Sequence, residues 1–354
     1  MKHRTALLCL LAACLQPSSD HEALDELVGE ATTGRVRIET SNQAAVLQLD
    51  ESGAELWAAA PRLELRAEGI GASLTLRIRN VLPDAALFLN DALVRREDTG
   101  RPTVGLWNVP AEANGQVLRV QSPDADEPRP HAIGVLSDVQ EDVGRVDDIF
   151  ARMNEDDLRF VVSTGDLTEN GGRGELERFI TALEGLDVPF YTTAGNHEVP
   201  GPANWHALLG PFSVFFEQHG VAYSLADSSN ATLDPALQDR MRPFLNAARN
   251  APHLFFTHVP LLDPSGLRAG AFRSRNEAAK HLQDLAEANV DALFFGHVHS
   301  YYAFDLAGIP SFISGGGGAI PERLDGIGRH YLRVELLPAS TEPIEAVAFV
   351  RVQQ

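Results

Sequence analysis

Five short stretches of this chain each close an apolar run on residues that could bind a cation or move a proton. Val161-Val162-Ser163-Thr164-Gly165-Asp166 ends on a carboxylate. Asp138 follows the apolar residues 133–136, and Asn196, His197 and Glu198 follow 190–194. His258 follows 254–256, and His297 and His299 follow 293–295. Short apolar runs of this kind read as buried strands, so the polar residues just past them stand at the mouth of a sheet. Carboxylates, imidazoles and an amide together are a ligand supply for Zn, Fe or Mn. Two cations about 3.5–4 Å apart need one bridging carboxylate, and Asp166 is the central candidate. The alternate spacing of His297 and His299 puts both rings on one face of an extended segment. The expected chemistry is hydrolysis of a phosphoester. Cations draw charge from phosphoryl oxygens and acidify a bridging water, so hydroxide attacks at neutral pH.

Placing these residues together requires strands that end at one edge. From residue 131 to 354, strand and helix patterns alternate. Strands are expected at 132–136, 159–163, 188–193, 253–257 and 292–295. Helical spacing marks Val143, Val146, Ile149, Phe150 and Met153, then Leu176, Phe179, Ile180 and Leu183, then Ala279, Leu282, Leu285 and Ala286. Ser274 and Glu277 form a capping-box pattern ahead of the last of these. Pro243 is expected to kink or split a helix over 236–248. The tail, 301–352, reads as several antiparallel strands. Alternation of this kind means α/β layering with function at strand C-terminal ends.

Residues 35–122 are different. Leu74, Leu76 and Ile78 alternate with Thr75, Arg77 and Arg79, and 35–39, 63–67 and 116–121 behave alike. Residues 85–89 and 92–94 flank Asn90-Asp91 as a hairpin. This pattern predicts a small antiparallel β-sandwich without a ligand or nucleophile cluster. Its expected role is a spacer or a wall beside the second domain, or a carbohydrate- or partner-binding module. Residues 123–130, rich in Pro and acid, read as a linker.

The N-terminus carries Lys2, His3 and Arg4, then a short apolar run, 6–13, closing on Leu11-Ala12-Ala13-Cys14. The run is too short to span a bilayer as a helix and fits an export signal. The ending resembles the bacterial lipobox. That resemblance implies cleavage after residue 13, a lipid anchor on Cys14 and an exported protein of the cell envelope, periplasmic or surface-facing. Residues 14–34 are expected to be a tether, with a short helix within 22–28. Cys9 and Cys14 are the only cysteines, so the folded body holds no disulfide and no Cys-based zinc site. Hydrophobic residues make up 44% and charged residues 22%, which suits globular domains with full cores. The net charge of −20 repels polyanions, so no nucleic-acid partner is expected.

The five motifs in this order, with Gly-Asn-His-Glu at 195–198 and Gly-His-Val-His at 296–299, resemble the calcineurin-like metallophosphoesterase superfamily over 131–354. The resemblance implies a two-sheet sandwich flanked by helices, here preceded by a small all-β sandwich domain, as in purple acid phosphatases. It implies two divalent or mixed-valence ions (Mn, Fe or Zn) and a small phosphoester substrate, monoester or diester. Asp138, Asp166 and His299 would hold the first ion. Asp166, Asn196, His258 and His297 would hold the second. His197 would touch the phosphate and protonate the leaving group, with Glu198 orienting it. The chain departs from the family in two places. The first motif, usually Asp-x-His, is Asp138-Val139-Gln140, and Gln140 offers a neutral carbonyl oxygen or nothing. Glu169 stands where purple acid phosphatases carry a tyrosine, so it is either an added ligand or a solvated acid, and no tyrosinate colour is expected. Arg273 and Arg275 could clamp a phosphate or lie at a helix start, Trp205 could line a groove or pack a loop, and 315–318 reads as a mobile turn. His206, His219 and His253 read as structural. A catalytically weak binding or scaffold lipoprotein is the rival reading, and a nuclease is disfavoured by charge.

Overall fold

The computed structural model describes residues 19–266, 270–324 and 326–352, so the export signal and Cys14 lie outside the described residues. An all-β region comes first, with one six-stranded and one five-stranded sheet. Alternation drives it. In the Ser73–Arg79 strand, Leu74, Leu76 and Ile78 are fully buried while Ser73 and Thr75 are exposed. Asn90 and Asp91 sit at φ 49° and 65° and join antiparallel strands Ala86–Leu89 and Ala92–Val94, the two-residue turn expected. Strands Ala44–Leu49, Gly53–Ala58 and Val104–Pro110 complete the sheets. They show no clean alternation because part of each is covered on both faces, as at Leu56, Trp57 and Ala58.

The α/β region is built on two further sheets. One orders strands Phe190–Thr192, Phe160–Ser163, His131–Leu136, His330–Leu336 and Ile344–Arg351. The other orders Val214–Gln218, Val221–Ala226, His253–Thr257, Ala292–Phe295, Ile309–Ser314 and Tyr301–Leu306. Their central strands are buried on both faces, yet period two still sorts the side chains. Ile133, Val135, Phe160 and Val162 meet Leu254, Phe256 and Phe294 between the sheets. Their neighbours Leu136 and Val161 lie under helices Asp147–Asn154 and Arg173–Ala182. Phe255, Leu293 and Phe295 lie under helices Pro235–Ala247 and Arg275–Glu287. The strands that precede the motif residues run parallel within each sheet, which brings their C-terminal ends to one edge.

Several local expectations need correction. The tail is not wholly antiparallel: Leu293 pairs in parallel with Ser311, because the Tyr301–Leu306 strand folds back and lets Ile309–Ser314 insert beside Ala292–Phe295. The helix Pro235–Ala247 continues through Pro243 without splitting. Only half of the capping box forms: Ser274 accepts from the Glu277 N–H, while the Glu277 carboxylate accepts from Leu233 N–H at 3.0 Å and from the Thr232 hydroxyl.

The segment expected to be a tether is docked from Ser19 onward. Helix Ser19–Asp25 lays His21, Glu22 and Asp25 against the α/β region, all three buried. Asp25 accepts from His206 Nε2 and Phe212 N–H, both at 2.7 Å, and from Arg240 at 3.2 Å. His21 Nδ1 lies 2.7 Å from Asp227 and its ring stacks on Phe212. A string of polar residues reads as a tether, but here His21, Glu22 and Asp25 each find a partner in the α/β region. The linker 123–130 is anchored at Ala125, which is buried and whose carbonyl accepts from His219 N–H at 2.9 Å, while 126–130 are exposed. Asn80 joins the two regions, donating to Phe190 O at 2.8 Å and accepting from Phe190 N–H at 2.7 Å. Removing one member of a buried ionic cluster strands its partners, at about 3 kcal/mol. Asp25→Ala is therefore expected to lower urea stability by about 3 kcal/mol; an unchanged unfolding midpoint would show that the helix is a free tether after all.

Candidate metal centre

The motif residues converge at the shared sheet edge, and close backbone approach makes this possible. A Cβ on Gly195 would lie 2.0 Å from Asp166 Oδ1, and one on Gly296 would lie 2.1 Å from Ser137 Oγ and 2.7 Å from Asp138 Oδ2. These glycines are part of the motifs because a side chain would occupy the carboxylate positions. Four non-glycine residues of the centre adopt left-handed backbone: Asp138 (φ 60°), Gln140 (48°), Asp166 (53°) and His297 (68°). Such conformations are costly and persist where the surroundings over-determine them. Here Asp166 O accepts from Val139 N–H at 2.8 Å and Gln140 N–H at 3.1 Å, and Asp138 N–H donates to Gly165 O at 3.1 Å.

Asp166 lies at the centre of the group. Its Oδ1 accepts from His197 N–H at 2.9 Å. Its Oδ2 accepts from Gln140 Nε2 at 3.0 Å and lies 3.2 Å from His258 Nε2. Asp138 accepts from His297 N–H at both oxygens and lies 3.4 Å from His299 Nε2. Asn196 Oδ1 is 3.1 Å from His258 Nε2. Asp166, His258 and His297 each offer a donor atom, all within 4.8 Å of one another. Burial opposes ionisation of both aspartates. The charge of His258 overcomes it at Asp166 and the hydrogen bond with His299 at Asp138, and both carboxyls fall below the ordinary range. Burial also opposes a charged His258, but Asp166 outweighs it and raises the imidazole to about 9.

Three of the rings are held in the same way. Nδ1 of His258 lies 3.0 Å from Thr164 O, that of His299 2.8 Å from Ile320 O, and that of His197 2.7 Å from Glu169 O. A carbonyl only accepts, so each Nδ1 carries the proton and each Nε2 faces inward as a lone-pair donor when the ring is neutral. This second shell is what metal-ligating histidines use. Buried carboxylates with inward Nε2 atoms fit divalent cations, and the residues able to hold them are Asp138, Asp166, Asn196, His258, His297 and His299. Gln140 is buried within the group, with its amide Nε2 also 3.3 Å from His299 Nε2.

Other expectations fare differently. Glu198 does not reach the His197 ring. It is fully buried, and it accepts from Asp166 N–H (3.0 Å), Gly195 N–H (2.9 Å), Thr168 N–H (3.0 Å) and the Thr168 hydroxyl (3.0 Å). It ties the Asp166 and Asn196 turns together. Burial pushes its pKa up to about 7 against the pull of those donors. The His197 ring is oriented instead by the Glu169 carbonyl, a role that sequence could not show because any residue type supplies a carbonyl. The Glu169 carboxylate is half exposed and 3.7 Å from His197 Nδ1. The run 315–318 is mostly buried and held, with Gly317 N–H donating to Ser137 O at 2.7 Å and Ala319 N–H to Asp138 O at 2.9 Å. Trp205 is fully buried and stacks on Phe212. Arg273 and Arg275 are exposed at a helix start. A cavity of about 670 Å³ lined by Asp124, His131, Arg159 and His219 lies where strands His131–Leu136 and Phe160–Ser163 begin, away from the centre.

A two-sheet α/β fold carrying buried carboxylates and inward imidazoles at one edge defines a metal-dependent hydrolase architecture. Residues 131–301 match the family model described as calcineurin-like phosphoesterase. A probable cyclic nucleotide phosphodiesterase of Rhodopseudomonas palustris is 28% identical over 183 residues, 47% of this chain. The chain spans 66% of the length of that relative. The structure of a purple acid phosphatase from yellow lupin (Lupinus luteus) seeds is similar at a TM-score of 0.53 and 13% identity, over 78% of this chain and 68% of that one. It shares the fold.

Replacing Glu198 by Gln puts an amide N–H against N–H donors. Glu198→Gln is expected to weaken Mn binding about 10- to 100-fold, read by calorimetric titration. Equal affinity in the two proteins would reject the positioning role.

Proposed function

We propose that the protein hydrolyses phosphoesters of small molecules, monoesters or diesters, at a centre of two divalent cations. The observation that carries this reading is the convergence of Asp138, Asp166, Asn196, His258, His297 and His299, with the His258 and His299 rings turned Nε2-inward by backbone carbonyls. Asp138 and His299 would hold one cation, Asn196, His258 and His297 the other, with Asp166 between them. When bound, the cations supply charge that polarises phosphoryl oxygens and acidifies water. His197 is the residue for proton delivery. Its Nδ1–H is fixed on Glu169 O at 2.7 Å, so its Nε2, 3.9 Å from Asp166 Oδ2, faces the place where a leaving oxygen would stand. Glu198 holds the two turns in register for that geometry.

Two further readings rest on the sequence. The Leu11-Ala12-Ala13-Cys14 ending supports a lipid anchor at the cell envelope. The name of the Rhodopseudomonas palustris relative supports including cyclic diesters among the substrates to test.

Protein covering residues 20–354, loaded with Mn, Fe or Zn, is expected to turn over a chromogenic phosphate monoester or its matching diester. Asp166→Asn and His197→Ala are each expected to lower kcat by at least about 100-fold, the scale of a lost acid–base group. Turnover that survives both changes, or is absent with all three metals in folded protein, would point to a binding protein instead.

Gln140 supplies at most a neutral oxygen, which suits Mn or Fe better than Zn. Gln140→His is expected to tighten Zn binding at one of the two sites by about tenfold or more, in line with imidazole's preference for Zn. Identical Zn titrations for the two proteins would remove Gln140 from the metal's surroundings.

A further inference from the structure

The mouth of the centre has two unlike sides. On the Gln140 side, a cavity of about 620 Å³ is lined by Glu141, Asp147, Glu169, Glu175 and Glu184 and by one arginine, Arg178, with Glu184 ion-paired to Arg79 and Arg101 from outside it. On the His297–His299 side two loops carry exposed apolar side chains beside Asp263, Glu322 and Arg323, and the Asp263 carboxylate is turned onto its own loop's Ser265, Gly266 and Gly270 N–H groups. Six large apolar side chains are exposed among the described residues, and three of them, Leu262 (50%), Ile320 (74%) and Leu324 (82%), lie on the loop after His258 and on the loop whose Ile320 carbonyl meets His299. Scattered exposed leucines need no explanation, but several gathered at one site do.

Both loops are tied to the histidines. Leu262 stands four residues after His258, and the Cβ position of Gly270 is 3.5 Å from His297 Cδ2. That loop closes through Phe272 N–H to Pro260 O at 3.1 Å. Ile320 gives its carbonyl to His299 Nδ1 at 2.8 Å, and Glu322 N–H returns to His299 O at 3.1 Å, which sets Leu324 just beyond. The loops are thus held by backbone while their apolar side chains are left facing solvent.

We propose that the centre takes phosphoesters of apolar alcohols, with the hydrocarbon part lying over Leu262, Ile320 and Leu324. This rests on the phosphoesterase reading above. The acidic cavity opposite disfavours substrates with a second phosphate, such as nucleoside polyphosphates, because added negative charge would meet carboxylates there. A single phosphoester held by the cations, with its alcohol directed away from those carboxylates, satisfies both sides.

The test is calorimetric binding of methyl, butyl and octyl phosphonate to the Mn-loaded protein, with turnover of methyl 4-nitrophenyl phosphate measured on the same sample. Affinity is expected to rise about two- to fourfold per methylene over the first few carbons, as partial to full burial of each would produce. Leu262→Ser/Leu324→Ser is expected to flatten the series, with an unchanged thermal melt showing that it folds. Methyl-ester turnover with a flat phosphonate series in the wild-type protein would overturn this inference and leave the catalytic reading standing. No turnover would overturn the catalytic reading and this one with it. Further tightening for hexadecyl phosphonate carried in phosphatidylcholine vesicles would assign the alcohol to a lipid. A rise that ends at octyl would assign it to a soluble alcohol.

Discussion

Asp166 is a buried carboxylate, and the structure around it is arranged so that its charge is answered. Burial alone would neutralise such a group. Instead it receives the His197 N–H on one oxygen, and Gln140 Nε2 and His258 Nε2 on the other. Its backbone is also engaged: its N–H donates to Glu198, and its carbonyl receives Val139 and Gln140 N–H. These contacts draw in three loops, each from a different strand. The loops hold left-handed backbone at Asp138, Gln140, Asp166 and His297, a cost that these shared hydrogen bonds offset.

The scaffold makes such convergence affordable. Parallel strands in each sheet deliver their C-terminal ends to one edge, and the inter-sheet layer of Phe160, Phe256 and Phe294 keeps that edge rigid. The all-β region and the N-terminal helix are joined to this scaffold by buried polar contacts, not by loose chain. Asn80 makes a two-way backbone bond to Phe190, a residue of the strand that leads to Asn196. Asp25 holds Phe212 and Arg240 on the opposite flank. A pairwise polar contact between distant segments has no periodicity, so neither attachment was visible before the fold was known.

The same distinction separates the two sides of the mouth. Acidic residues on the Gln140 side come from four helical segments and a loop, within 141–147 and 169–184, and the apolar residues on the other side come from loops after two separate strands. Composition gave only their sum, a strongly acidic chain. Segregation of charge from hydrocarbon around one centre is a property of the assembled loops.

What the amino-acid sequence determined by itself was the set of donors and the architecture that carries them. Period-two strands, apolar runs ending in Asp, Asn or His, and the Asn90-Asp91 hairpin are local signals, and the expected strands at 253–257 and 292–295 match the structure residue for residue. Tertiary structure decided what each donor touches. The family resemblance implied that Glu198 orients His197, but the turn points its carboxylate back into the backbone of Asp166, Gly195 and Thr168. The glycines at 315–318 suggested mobility, and packing against Ser137 and Asp138 removes it. The physical reason is common to all of these cases. Backbone propensity and hydrophobic period act over a few residues, whereas a hydrogen bond to a carbonyl, or the burial of a charge, depends on which distant segment the fold brings within about 3 Å.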